Sequence, residues 1–368
     1  MEGEEYHVVC MGGLLSRYIS VSVSLISKGS LPCHGLVEQR ATPTKHYKMY
    51  ILYSIIFLGV FLSFFNYRKR SAKVDQWKVK LTKLDLSKPE DIDVGINYIS
   101  TIDFPFELFI STNLAFYRTF CSPTISNVYY KTGTIEKTPD KRVNDTDLLM
   151  FTWMEHGLDS ELGKSSYEQL NKIHGLHSSR TRNVDFIFVL CCLTIDAIQF
   201  CNDFGCRSLE EKEKQIVWEF YRRVGVRMNL ADIPVTLEKC HQFVEDYTQD
   251  DRQSRVTQDG KVLTQAMTDL VVRWYNFIPS TIVKMGISVV LHYMSPVFHR
   301  KLDLPTPSAT EITFIKVLLK LRRAAIQILP PRSTPHHLSS KLLDQDYGCP
   351  MSKHVFSKVG PIDMISKF

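Results

Sequence analysis

A run of nineteen residues without a single charge, Met49 to Tyr67, constrains this chain more than any other feature. An α-helix rises about 1.5 Å per residue, so about 20 apolar residues cross the hydrocarbon core of a bilayer. A helix buried in a soluble core usually keeps a polar face, and this run has none. The run therefore predicts a transmembrane helix over residues 47–67.

A basic stretch directly follows the apolar run. It begins with Arg68, Lys69 and Arg70 and carries four further lysines up to residue 84, whereas two lysines lie directly before the run. Because basic residues flanking a span concentrate on its cytosolic side, we expect a single-pass protein with a cytosolic domain. Residues 68–84 are then a juxtamembrane segment that can rest on anionic headgroups.

Composition excludes several classes of protein. The chain has 368 residues, of which 44% are hydrophobic, and this is enough for a sizeable core. The net charge of +6 is modest, and no predicted soluble helix carries a long basic tract, so we expect no nucleic-acid partner. The nine cysteines contain no Cys-x-x-Cys pair, which fits a reducing compartment better than a disulfide framework or a zinc site.

Helical spacing of apolar residues dominates beyond residue 85, and no alternation of period two persists. A helix over about 104–120 should end before Ser122-Pro123, because a residue before proline disfavours the helical conformation. A very apolar helix over 185–204 should be closed by Gly205. Further helices are expected at about 208–223, 234–248, 261–277, 280–294 and 308–329. The pattern predicts an all-α protein.

The sequence therefore predicts a single helical domain over residues 85–332, preceded by one N-terminal transmembrane helix over 47–67 and the juxtamembrane segment 68–84. Residues 1–45 show no sustained period, and we interpret them as disordered or as an upstream extension. Residues 333–368 are rich in Ser, His and Pro near their start, and we expect a tail without a core of its own.

Two histidines, His174 and His177, lie three residues apart and should share one face of a helix. Leu170 and Ile173 continue that face with apolar side chains. A haem pocket needs such an arrangement: an apolar wall and an imidazole directed at iron. From these residues alone, a helical histidine at a partly buried surface is the simpler interpretation.

A second group of polar residues has helical spacing. Arg142, Asp145 and Thr146 stand at positions i, i+3 and i+4, again on one face. Beside an oxygen-binding iron they could donate hydrogen bonds and stabilise developing charge. The alternative is an ordinary surface pair of Arg142 with Asp145. Asp145 could thus act as an acid or base, or as a structural partner of Arg142.

Short motifs in a fixed order connect these two groups to a known family. In chain order they are Phe104-Pro105-Phe106, Phe116-Tyr117-Arg118-Thr119, Pro123-Thr124-Ile125-Ser126, Lys131-Thr132-Gly133, Arg142-x-x-Asp145-Thr146 and Leu176-His177-Ser178-Ser179-Arg180. Together they resemble the fungal oxygenases of the MpaB type, which are bound to the endoplasmic reticulum. More distantly, they resemble the bacterial rubber oxygenases, or latex-clearing proteins.

The resemblance implies an all-α domain that binds b-type haem through one histidine. In that family the axial histidine stands in a Leu-His-Ala/Ser-x-x-Arg-like motif. The segment from Leu176 to Arg180 matches this motif, with the arginine shifted by about one position. The resemblance therefore implies that His177 ligates iron and that Arg180 pairs with a haem propionate. His174 lies outside the motif and is expected to be a neighbour.

The resemblance also implies an activity. Arg142, Asp145 and Thr146 would be the catalytic residues on the oxygen side, and Asp145 stands where the rubber oxygenases carry a lysine. The implied reaction is cleavage of a carbon–carbon double bond by O2 in a lipophilic isoprenoid or prenylated compound, at the endoplasmic reticulum membrane. A hydroxylation or rearrangement by a haem enzyme of the same fold is an alternative, and a membrane-tethered helical scaffold without haem is another.

Overall fold

The computed structural model describes residues 45–342 and 353–360, and their side chains over 49–342 and 356–360. Every regular element within these residues is helical, which confirms the all-α prediction. The interpretation of the first 44 residues concerns a segment outside the described part.

The helices are α1 (Lys45–Lys83), α2 (Pro89–Tyr98), α3 (Pro105–Phe120), α4 (Pro123–Thr132), α5 (Thr134–Lys137), α6 (Pro139–His156), α7 (Glu161–Gly175), α8 (Asn183–Phe204), α9 (Glu211–Arg227), α10 (Leu237–Gln249), α11 (Gln258–Trp274), α12 (Ser280–Met294), α13 (Pro296–Lys301), α14 (Ala309–Ile328) and α15 (Leu338–Leu342). A π-helical turn, Ile99–Asp103, joins α2 to α3, and a 3-10 turn covers Lys353–Lys358.

The predicted transmembrane run and the basic stretch form one helix. Helix α1 is 39 residues long, and its apolar half is exposed along its whole length. By length and composition, α1 and α8 could each cross a membrane. Most of α8 is buried inside the domain, so its apolar sequence is explained by the protein core. Helix α1 is therefore the membrane-anchoring helix that precedes the domain.

The last two turns of α1 dock onto the domain. Trp77 is buried, and its ring stacks on Tyr98 of α2 at a centroid distance of 3.7 Å. The Trp77 indole N–H also donates to the carboxylate of Glu213 at 2.7 Å. Arg207 donates to the same carboxylate at 2.6 Å and to Asp103 at 2.8 Å. Because these groups are buried and paired, the anchor and the domain are connected by a fixed joint.

Helix α8 forms the centre of the domain and packs against α3, α9 and α10. It begins at Asn183 and ends at Phe204, close to the boundaries that the sequence predicts. Apolar side chains surround the helix on nearly all sides, as expected for a helix that is buried all round. The sequence therefore predicts the most buried element well.

A buried ion pair joins α3 to α8. The guanidinium of Arg118 donates two hydrogen bonds, each 2.6 Å long, to the carboxylate of Asp196. Both side chains are almost fully excluded from water, and the Arg118 guanidinium also lies over the ring of Phe298 at 4.9 Å. Such a bidentate pair satisfies both partners at once, whereas either partner alone would be a buried charge.

The described part of the tail packs against the domain, whereas the sequence places the end of the domain at residue 332. Leu338 and Leu342 are buried against α6, and their helix is capped by the carboxylate of Glu155, which accepts from the Leu338 backbone N–H at 2.7 Å. Phe356 and Val359 are also buried. Widely spaced apolar residues carry no helical period, so the sequence pattern could not reveal this packing.

Replacing Arg118 with methionine should lower the free energy of unfolding by about 3–5 kcal/mol, because Asp196 would remain as an uncompensated buried charge. The double variant Arg118→Met with Asp196→Leu should recover much of that loss, since it removes both charges. Chemical denaturation of the three proteins in detergent measures this. Equal stability of the Arg118→Met variant and the parent would contradict a structural role for the pair.

Candidate functional site

A large cavity lies between α4, α6, α7 and α8. It contains about 1460 Å³ of empty space, including its opening to solvent. Its walls are mainly apolar, with Ile125, Val128, Leu149, Met150, Trp153, Leu170, Ile173, Phe186, Val189, Leu190, Leu193, Val224 and Met228 among the lining residues. Cavities of this kind, apolar with a few convergent polar groups, are the usual binding sites of organic ligands.

Arg142 and Thr146 lie in the wall of this cavity, on the same face of α6. The Arg142 guanidinium donates to the hydroxyl of Thr146 and, at 2.8 Å, to the hydroxyl of Tyr129 on α4. It also lies over the rings of Phe116 and Tyr129, at 5.3 and 5.1 Å. These contacts hold a positive charge in one orientation at the cavity surface.

Asp145 also lines the cavity, and it is nearly fully buried. Its carboxylate accepts hydrogen bonds from Lys141 at 2.7 and 2.9 Å and from the backbone N–H of Gly360 at 3.0 Å. Lys141 in turn donates to the backbone carbonyl of Lys358 at 3.1 Å. The ion pair of Asp145 with Lys141 therefore fastens the C-terminal segment to the cavity wall.

The C-terminal segment completes the cavity. Val359 and Gly360 belong to its lining, and Gln169 of α7 donates to the Val359 carbonyl at 2.7 Å. The short 3-10 turn before them packs against α7. A part of the chain that the sequence pattern places outside the domain thus forms one side of the site.

His174 and His177 both line the cavity, but they do not share a helix. Helix α7 ends at Gly175, and His177 lies in the following turn, where its backbone N–H donates to the His174 carbonyl at 3.0 Å. Gly175 and the serines after it explain the early end, because glycine costs about 1 kcal/mol in a helix and serine competes for backbone hydrogen bonds. The prediction of one helical stripe through both histidines is therefore wrong, although both imidazoles reach the same cavity.

The two imidazoles have different environments. The His174 ring packs against the ring of Phe186, with centroids 4.8 Å apart. Burial, together with the nearby charge of Arg142, lowers the pKa of His174 to about 4. Burial also lowers the pKa of His177, and its Nδ1 is buried without a hydrogen-bond partner. Both rings are therefore held in the neutral form at physiological pH, which is the form that binds metal ions.

Arg180 is exposed and lies outside the residues that line the cavity. Its backbone N–H donates to the His177 carbonyl at 2.8 Å, so it belongs to the turn that carries His177. The structure thus brings together Arg142, Asp145, Thr146 and His177, and leaves the side chain of Arg180 at the surface.

Sequence reasoning missed several residues of the site. Lys141 stands four residues before Asp145, and this i, i+4 spacing of opposite charges was a signal for their pairing. No sequence signal connected Tyr129 with Arg142, because the two lie on different helices. Likewise, Gly360 is 215 residues from Asp145, and only folding brings them together.

The cavity offers isolated imidazoles on mainly apolar walls. Among the residues that the structure describes, no group of three or more His, Cys, Asp and Glu side chains could hold a metal ion. A haem needs only one imidazole from the protein and an apolar surface for its ring. The buried, unpartnered nitrogen of His177 and the mainly apolar walls meet that need.

Comparison with known proteins shows that the chain is similar to three fungal proteins. No family model matches the chain. One relative, "ER-bound oxygenase mpaB'" of Penicillium brevicompactum, is 24% identical over 247 residues, which cover 64% of this chain and 58% of that protein. "ER-bound oxygenase mpaB" of the same fungus is 26% identical over 36% of this chain and 35% of its own length. The protein of the same name from Penicillium roqueforti (strain FM164) is 25% identical over 35% of this chain and 45% of its own.

The chain therefore spans between about a third and three fifths of the length of these curated relatives. The sequence resemblance and the three matches point to the same group of proteins. This chain is similar to fungal proteins named as ER-bound oxygenases of the MpaB type.

Proposed function

We propose that this protein is a membrane-anchored, haem-dependent oxygenase that cleaves a carbon–carbon double bond of a lipophilic isoprenoid or prenylated compound with O2. The names of its relatives support an oxygenase. The observation that carries the proposal is the cavity, where two separate polar motifs meet on mainly apolar walls. His177 lies on one of these motifs, and Arg142, Asp145 and Thr146 lie on the other.

His177 is the proposed iron ligand. Two backbone hydrogen bonds hold the turn that carries His177. The His177 N–H donates to the His174 carbonyl in α7, and the Thr181 N–H donates to the His177 carbonyl. Its lowered pKa keeps a lone pair free for a metal. Haem b, when bound, supplies the iron that activates O2. His174, held against Phe186, serves as a neutral wall residue.

Arg142 and Thr146 are the proposed polar groups on the reaction side. A guanidinium has five N–H donors, and Tyr129 and Thr146 accept from two of them. Because these partners fix the guanidinium before the substrate arrives, it can stabilise negative charge that develops on oxygen without reorganising. Asp145 is proposed to hold this wall in place through Lys141 and Gly360.

The apolar walls define the class of substrate. A cavity lined largely by Ile, Leu, Val, Met and aromatic side chains excludes water and accepts a prenyl chain. Such a compound partitions into a bilayer, and an enzyme on a membrane anchor meets it there. In the proposed reaction, both oxygen atoms of O2 enter the products, one in each of the two carbonyl groups formed from the cleaved alkene.

The first prediction concerns the ligand. The full chain, purified in detergent, should bind one b-type haem, and His177→Ala should abolish the Soret absorption band. The matched variant His174→Ala removes a second imidazole from the same cavity and should keep most of the haem. Equal Soret bands in the His177→Ala variant and the parent would contradict the assignment of His177 as the iron ligand. If only the His174→Ala variant loses the Soret band, His174 is the ligand instead.

A second prediction concerns Arg142. Arg142→Ala should leave the haem content near normal and reduce turnover roughly 10- to 1,000-fold, as for the loss of one preorganised stabilising group. Prenylated aromatic compounds and terpenoids with labelled O2 serve as substrates, and label should appear in carbonyl products. Arg222→Ala, which removes a surface arginine paired with Glu219, is the control and should not change turnover. Normal turnover of the Arg142 variant would contradict its role, and label in an alcohol on an intact chain would contradict cleavage.

A third prediction concerns topology. We place the protein in the endoplasmic reticulum membrane, like the relatives named as ER-bound, with one span and a cytosolic domain. The excess of basic residues after the span supports this orientation. A glycosylation acceptor inserted in the exposed loop at Val235 should remain unmodified in microsomes. Modification of that acceptor would show the opposite orientation.

A further inference from the structure

Helix α14 exposes an uninterrupted apolar stripe. The stripe consists of Phe314, Val317, Leu318, Leu321, Ala325 and Ile328, which are spaced three, one, three, four and three residues apart and so lie on one side of the helix. All six are exposed. Of the twenty residues of α14, only Ile315 is fully buried. The helix therefore directs this apolar stripe away from the domain.

The opposite side of α14 explains why the helix has this orientation. Arg322 donates to the buried carboxylate of Glu107 at 2.8 Å and lies over the ring of Phe106 at 4.0 Å. Arg323 donates to the backbone carbonyl of Asn202 at 3.2 Å. Arg322 and Arg323 thus face the domain, where Leu319 and Ile326 also pack against the core, whereas the stripe faces outwards. A helix on the surface of a soluble protein usually carries polar and charged residues on its outward side.

The C-terminal end of α14 is fastened to the anchor helix where the apolar run of α1 ends. The Asn66 amide donates to the Ile328 carbonyl at 3.1 Å, and Arg70 donates to the Leu329 carbonyl at 3.3 Å. One turn later, Lys73 donates to the Arg332 carbonyl at 2.9 Å. Asn66 and Tyr67 close the predicted span, so α14 meets α1 at the level of the membrane surface.

We infer that α14 is a second membrane-contacting element, which lies in the surface layer of the bilayer with the stripe towards the lipid. The inference rests on the proposed membrane anchor, and it specifies which surface of the domain faces the bilayer. At about 1.5 Å per residue, the fourteen helical steps from Phe314 to Ile328 extend over about 21 Å. The binding of such a helix side to the bilayer becomes more favourable in proportion to the apolar area that leaves water.

A lipid surface fits the stripe better than a second protein chain because of its position. The stripe is continuous with α1 at Ile328, and the exposed apolar half of α1 is long and apolar enough to cross a bilayer. Lys320 is exposed beside the stripe, and Arg68 and Lys69 are exposed at its end, where anionic headgroups would be. Long basic side chains beside an apolar surface are typical of helices in the headgroup region.

The inference can be tested by the depth of single positions in a bilayer. Cysteine is introduced at Leu321 in the full chain, labelled with an environment-sensitive fluorophore and reconstituted in nanodiscs of phosphatidylcholine with a minority of phosphatidylserine. A phosphatidylcholine with a nitroxide on its acyl chain is the quencher. Val235 is the matched control, because its exposed fraction of 63% is close to the 60% of Leu321. Phe57, in the apolar half of α1, is the positive control. The labelled parent chain gives the background of the native cysteines.

Quenching at positions 321 and 57 should exceed that at 235 by about twofold or more, as for groups in contact with acyl chains. If the label at position 57 is quenched but the label at 321 is quenched no more than the one at 235, the inference is overturned. The anchor remains intact in that case. A label at 321 that is shielded from water but not quenched by lipid would also overturn it, in favour of a second copy or another protein. Lack of quenching at 57 would overturn the anchor itself.

Discussion

The ion pair between Arg118 and Asp196 is the constraint on which the domain depends. It fixes α3 against α8, the central helix, and both charges lie in an interior that would not tolerate either alone. Helices α4 and α6 follow α3 in the chain, and α7 leads into α8. The position of the whole cavity wall therefore follows from how α3 and α8 meet. Arg118 belongs to one of the motifs on which the sequence resemblance to the MpaB-type oxygenases rests, and its contacts give that motif a structural explanation.

The polar residues that line the cavity come from segments that are distant in sequence. Helix α6 supplies Arg142 and Thr146, and α4 supplies the hydroxyl of Tyr129 that orients the guanidinium. The turn after α7 supplies His177, outside any helix. The C-terminal segment closes one side through Asp145. A turn held by backbone hydrogen bonds can orient an imidazole as firmly as a helix, so the early end of α7 is compatible with a ligand at His177.

The anchor helix and the helical domain behave as one structural unit. Trp77, Glu213 and Arg207 form a buried network at the base of α1, and α14 is fastened to the next turns of the same helix. A fixed joint means that the orientation of the span determines the orientation of the cavity relative to the bilayer. For a substrate that dissolves in lipid, this is a more direct arrangement than a domain on a flexible linker.

The sequence by itself determined the all-α class, the anchor and most helices. Apolar runs and helical spacing report directly on local hydrogen bonding and burial, and α8 and α12 agree with their predicted boundaries within two residues. The motifs also indicated the residues that meet in the cavity. Only the tertiary structure decided that Gly360 binds Asp145, that Gln169 binds the Val359 carbonyl, and that the tail completes the site. These features depend on contacts between residues far apart in the chain, and a local pattern carries no information about them.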